Sequence, residues 1–136
     1  MNVNVITTDN FKREAKRLLK KFSSLKSELD ELANELESNP FLGMLIGENV
    51  YKIRLAVKSK GKGKSGGMRI ITYVYVENNE GQIDNYLLSI YDKSEFENIS
   101  DKLLSRLVDE VKEAILIRPS EIDGDADETD KPSEIQ

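Results

Sequence analysis

Seven cations stand between Glu48 and Glu77 with no acid among them: Lys52, Arg54, Lys58, Lys60, Lys62, Lys64 and Arg69. Three of them fall on the even positions of "YKIRLAVK" (Lys52, Arg54, Lys58), while the odd positions are Tyr51, Ile53, Leu55 and Val57. Side chains two apart on a strand share a face about 7 Å from one another. The spacing therefore predicts one apolar face and one basic face. "KSKGKGKSGG" then alternates lysine with glycine, and Arg69 opens the next apolar run. A row of like charges repels itself unless an anion is there to meet it. Lysine and arginine interleaved with Tyr73, Tyr75 and Tyr91 have the chemistry that grips single-stranded nucleic acid, charge for phosphate and rings for bases. Lys93, two residues past Tyr91, extends the set. The loop also reads as a solvated hairpin connection, lysine for solubility and glycine for turns.

Composition narrows the chemistry further. The chain of 136 residues has no histidine and no cysteine. That removes the usual neutral-pH proton carrier, a disulfide framework and thiolate metal sites, so no metal site and no cofactor are expected. "GKGKSG" has glycines at its first, third and sixth positions, but a strand follows where a dinucleotide site needs a helix N-terminus. No run approaches the roughly 18 apolar residues of a membrane span, and the N-terminus lacks the basic and apolar regions of a signal peptide, so the expected location is cytoplasmic. The net charge of −5 is an uneven average. Residues 119–136 hold seven acids against Lys131, a net −6, which leaves residues 1–118 at +1. One globular domain over 1–118 and an acidic disordered tail over 119–136 are the expected organisation.

The elements that must position these residues follow from periodicity. "VNVIT" at 3–7 suits a short strand. Asp9 or Asn10 can cap a helix whose stripe is Phe11, Ala15, Leu18, Leu19 and Phe22, with Lys12, Arg13, Lys16, Arg17 and Lys20 opposite. "SS" at 23–24 caps a second helix with Leu25, Leu29, Leu32 and Leu36 inward, and the short link makes an antiparallel hairpin. "FLGMLIGEN" reads as a connector. Strands follow at "YKIRLAVK", "MRIITYVYVE" and "NYLLSIYDK", the second with Arg69, Ile71, Tyr73 and Tyr75 on one face. Asn98 or Ser100 caps a last helix lined by Leu103, Leu104, Leu107, Val108, Val111 and Ile115. The fold class is α+β, a small antiparallel sheet in the order β-α-α-β-β-β-α with an N-terminal helical hairpin and a C-terminal helix. Helices on one side leave the basic sheet face open to solvent.

With "YKIRL", "KGKSGGMRIITY" and "LLSIYDKSE" behind a basic helical hairpin, residues 8 to 115 resemble the RelE/ParE superfamily of type II toxin–antitoxin toxins, on its RelE/HigB side. The resemblance implies a RelE-like fold and a toxin that binds the ribosome, cuts mRNA and is neutralised by a cognate antitoxin. It implies catalytic roles for Lys52, Arg54, Arg69 and Tyr91, and RNA contacts from Lys58, Lys62, Lys64 and Lys93. Arg54 and Arg69 suit phosphate stabilisation because guanidinium binds it bidentately. Lys52 or Lys64 could serve as base, and Tyr91 could stack or transfer a proton. "FENIS" after "KSE" has neither the Tyr nor the His that some relatives place there, so the general acid and base stay open. The alternatives are a ParE-like inhibitor of DNA gyrase and an inactive relative that only binds antitoxin. The tail either solvates or lies across the basic face in place of RNA.

Overall fold

The computed structural model describes residues 2–61, 66–77 and 81–117. Lys62 and Lys64, most of the "NNEG" turn and the acidic tail lie outside them. The elements are β1 (Asn2–Thr7), α1 (Asp9–Lys21), α2 (Leu25–Ser38), β2 (Met44–Gly47), β3 (Val50–Leu55), a 3-10 turn (Lys58–Lys60), β4 (Met68–Val76), β5 (Gln82–Asp92) and α3 (Asp101–Ile117). The class is mixed α+β, three helices and one five-stranded sheet in the order β1-β5-β4-β3-β2. Strands β3 to β5 form the expected antiparallel meander, and β2 adds a further antiparallel strand beside β3. β2 is a strand where a connector was expected: none of its residues is buried, so it lacks an alternating pattern to announce it. β1 pairs with β5 in parallel, from Asn2 opposite Gln82 to Thr7 opposite Leu87.

The helical hairpin forms as its stripes require. Phe11, Ala15 and Leu18 of α1 and Leu25, Leu32 and Leu36 of α2 are buried against Ile53, Ile70 and Ile90, which stand side by side across β3, β4 and β5. Burying a leucine side chain fully is worth about 2 kcal/mol in transfer free energy. Thr8, not Asp9 or Asn10, caps α1, its hydroxyl accepting from the Phe11 amide. Asn10 is needed elsewhere. β1 ends opposite Leu87, so the next stretch of β5 has no strand on that side. α1 supplies side chains instead: Thr8 Oγ1 donates to the Leu87 carbonyl at 2.8 Å and Asn10 Nδ2 to the Leu88 carbonyl at 2.9 Å. Glu14 Oε1 accepts from the Ile90 amide at 3.1 Å and the Ser89 hydroxyl at 2.8 Å. Backbone groups left unpaired in a buried setting are costly, and these polar residues satisfy them.

The chain divides into two compact units, Met1–Ser100 and Asp101–Gln136. Of the second, the helix α3 is described. Leu107 and Val111 are buried and Leu103, Leu104, Val108 and Ile115 half-buried, which is the stripe its spacing predicts.

Candidate functional site

Register decides which side chains meet. Arg54 on β3 pairs with Arg69 on β4, and Arg69 pairs with Tyr91 on β5. Lys52 pairs with Ile71, and Ile71 with Ser89. Directly opposite residues in an antiparallel sheet project to the same side. Lys52, Arg54, Arg69 and Tyr91 therefore share the sheet face opposite the helical hairpin.

That face is not open, which corrects the sequence reading. Arg69 is 3% exposed and Tyr91 5%, and Ile71, Tyr73, Tyr86 and Ser89 beside them are buried too. The reason is in the residues. "MRIITYVYV" carries one charge in nine positions, so β4 is apolar on both faces, as central strands covered on both sides are. Arg54 is exposed and Lys52 half-exposed. The basic row is thus graded from solvent at β3 to interior at β5.

Electrostatics follow that gradient. Burial pushes the Arg69 guanidinium below its ordinary pKa, the neighbouring Arg54 charge pushes the same way, and Tyr91 opposes. Arginine still keeps its proton at neutral pH. Its Nη1 donates to the Met68 carbonyl at 3.2 Å. Burial raises the Tyr91 phenol's pKa, and the Ile99 amide and Arg69 pull it back in part. The Tyr91 hydroxyl makes no well-formed hydrogen bond among the described residues.

The segment after β5 lies against this row. Phe96 sets its ring edge-on to Tyr91, centroids 6.2 Å apart, and is itself 57% exposed. Lys52 Nζ donates to Asn98 Oδ1 at 3.0 Å. Neither residue was singled out in the sequence, where Asn98 looked like a helix cap. Lys93 is half-exposed just beyond β5, its amide donating to the Gly67 carbonyl.

The lysine loop divides. Lys58 is exposed, but β3 ends at Leu55 and Lys58 sits in the 3-10 turn, so it does not continue the strand-face row. Lys60 is buried, its Nζ 2.6 Å from Asp92 Oδ1 and 5.2 Å from the centre of the Phe22 ring. Asp92 also accepts from the Ser94 amide and hydroxyl. Desolvation raises its pKa, but the hydrogen bonds from Lys60 and Ser94 together hold it below the usual carboxylate value. Glu28 Oε2 accepts from the Lys58 amide at 2.7 Å, and the Ser59 amide donates to Ser24 Oγ at 2.9 Å. At the far root, Gly67 comes so close to β3 that a Cβ would stand 2.1 Å from the Leu55 carbonyl oxygen. Both ends of the loop are thus fixed.

A second feature is a groove of about 1020 Å³ lined by β1 and the two helices, with apolar Val5, Phe11 and Leu29, the cations Lys12, Lys16 and Lys20 of α1 and the acids Asp30 and Glu37 of α2. No helix among the described residues is long and apolar enough to cross a membrane. No group of three or more metal-ligating side chains occurs among them.

No family model matches the sequence. Among solved structures, the chain is similar to the E. coli toxin RelE, an arginine-to-alanine double mutant in the free state. The identity is 17%, the match covers 82% of this chain and 99% of that one, and the TM-score is 0.48.

Proposed function

We propose that this chain is the toxin of a type II toxin–antitoxin pair and cuts mRNA on the ribosome. The observation that carries the reading is the cross-strand row Arg54, Arg69, Tyr91 with Lys52 beside it, two guanidiniums and an ammonium on one face. RNA cleavage by its own 2′-hydroxyl transfers the phosphorus from the 5′ oxygen to the 2′ oxygen. It leaves a 2′,3′-cyclic phosphate and a free 5′-hydroxyl. The step needs a base for the 2′ proton, positive charge on the phosphorane and an acid for the departing oxygen. Arg54, exposed, receives the phosphate. Arg69, fixed by burial, adds charge in a setting where water screens it little. Tyr91 keeps its proton at neutral pH as any phenol does, and burial raises its pKa further. That suits an acid toward the 5′ oxygen, not a base, and its burial argues against stacking on a base directly. Lys52 or Lys64, in its neutral amine form, is the candidate base. Exposed Lys58 and half-exposed Lys93 are the candidate RNA contacts among the described residues, and Lys62 and Lys64 remain candidates from the sequence.

The groove beside β1 fits the antitoxin. Its apolar lining suits an amphipathic segment whose acidic side faces Lys12, Lys16 and Lys20 and turns away from Asp30 and Glu37.

The test is ribosome-dependent mRNA cleavage by wild type and Arg54→Ala. Arg54 is exposed, so its removal leaves the fold intact, whereas loss of the buried Arg69 confounds stability with activity. Cleavage should fall about 100-fold or more, as when one charge-stabilising donor is removed. Equal cleavage by the two proteins overturns the reading.

A further inference from the structure

The segment that follows β5 is held very differently along its length. Its root is pinned. Ser94 is tied to the Asp92 carboxylate, the Glu95 and Phe96 amides donate to the Asp92 carbonyl, and Arg17 pairs with Glu95 at 2.9 Å. Beyond Phe96 the chain is held again at half-buried Ile99, whose amide faces the Tyr91 hydroxyl, and between them the hold is slight. Glu97 and Asn98 are exposed, the Phe96 ring meets Tyr91 only by an edge, and Asn98 is fastened by one hydrogen bond to Lys52. Yet this thinly held stretch touches both ends of the basic face: Phe96 on Tyr91 and Asn98 on Lys52.

We propose that Phe96–Asn98 is a strap across the basic face, clasped by Asn98 on Lys52, and that a phosphate-bearing ligand opens it by taking Lys52 away from Asn98. The inference rests on the reading of that face as an anion site and adds how it is guarded. The chemistry lies in the clasp. An amide oxygen is a neutral acceptor, and a phosphate oxygen accepts from an ammonium about twice as strongly. The clasp therefore holds against water and yields to a phosphate. A carboxylate at position 98 would compete with the ligand on equal terms. Closure also keeps Lys52 and Tyr91 occupied when no ligand is present. Since the closed form does not bind, apparent affinity is the intrinsic affinity reduced by the fraction of open protein.

Two substitutions at exposed Asn98 separate the outcomes without threatening the fold. Pyrophosphate binding is measured by calorimetry on the full chain at low salt. Asn98→Ala removes the clasp and should tighten pyrophosphate about fivefold. Asn98→Asp turns the clasp into an ion pair and should weaken it by at least as much. The chain has no tryptophan, so Phe96→Trp gives a single emission signal, expected to shift to the red as pyrophosphate moves the ring from Tyr91 into water. An Asn98→Ala affinity equal to or weaker than wild type overturns the strap, as does an unmoved tryptophan signal on a protein that binds pyrophosphate, or no pyrophosphate binding by any variant. A single-stranded RNA oligonucleotide run in parallel tests the functional reading separately. Pyrophosphate results as stated, with no RNA bound by any variant, leave the strap standing and sink the toxin assignment.

Discussion

At the scale of single residues, the same side-chain type does opposite work two positions apart. Lys58 points to solvent while Lys60 is buried against Asp92. Removing one partner of a buried pair strands the other's charge, so Lys60→Ala should cost about 3 kcal/mol in a denaturant titration. Lys58→Ala should stay within about 0.5 kcal/mol. Asp92 also sets a pH dependence. Its folded pKa lies below the ordinary carboxylate value, so the unfolded chain binds the proton more readily. The pair's contribution is complete above that value and is lost as pH falls through the lower folded one. The wild-type Tm should drop more steeply below about pH 4 than that of Asp92→Asn. Nothing in the sequence separates Lys60 from its neighbours, because its partner is 32 residues away. For RNA binding, each phosphate contact to a single strand contributes about −0.7 to the slope of log K against log salt, so Arg54→Ala should flatten that slope by about 0.7.

At the scale of elements, periodicity carried far. The helical stripes are legible because 3.6-residue spacing leaves Leu18, Leu32 or Leu107 no other consistent place. The strands β3, β4 and β5 are legible from alternation and β-branching. Three things were not. β2 has no alternating burial. The register that joins β1 to β5 is encoded in no local pattern. The covering of the basic face follows from β4 being apolar on both sides, which a period-two reading hides by choosing the better face. So the common face of Lys52, Arg54 and Arg69 was within reach of the sequence, while the departure of Lys58 from it and the burial of Arg69 were not. The lysine loop's root offers a test at this scale. Gly67 admits no Cβ against the Leu55 carbonyl. Gly67→Ala should cost about 2 to 3 kcal/mol, read by thermal or chemical unfolding.

At the scale of the whole molecule, the reading concerns a target in the cell. A toxin acting on the ribosome should stop incorporation of labelled amino acid within minutes of induction, before incorporation of labelled thymidine declines. The reverse order would favour a gyrase inhibitor. Co-expression with an acidic amphipathic partner seated in the β1 groove should restore growth, and charge reversal at Lys12, Lys16 and Lys20 together should abolish that rescue by loss of complementary charge.

The parallel ladder between β1 and β5 has a consequence for how the protein is born. Asn4 reaches Asp84 across 80 residues of chain, so the first strand made waits for nearly the last. Local hairpins can form early, but closing so long a loop is slow. A nascent copy cannot complete its sheet until Leu87 has cleared the exit tunnel. On the proposed function, a copy still short of that point is inactive on the ribosome that is making it.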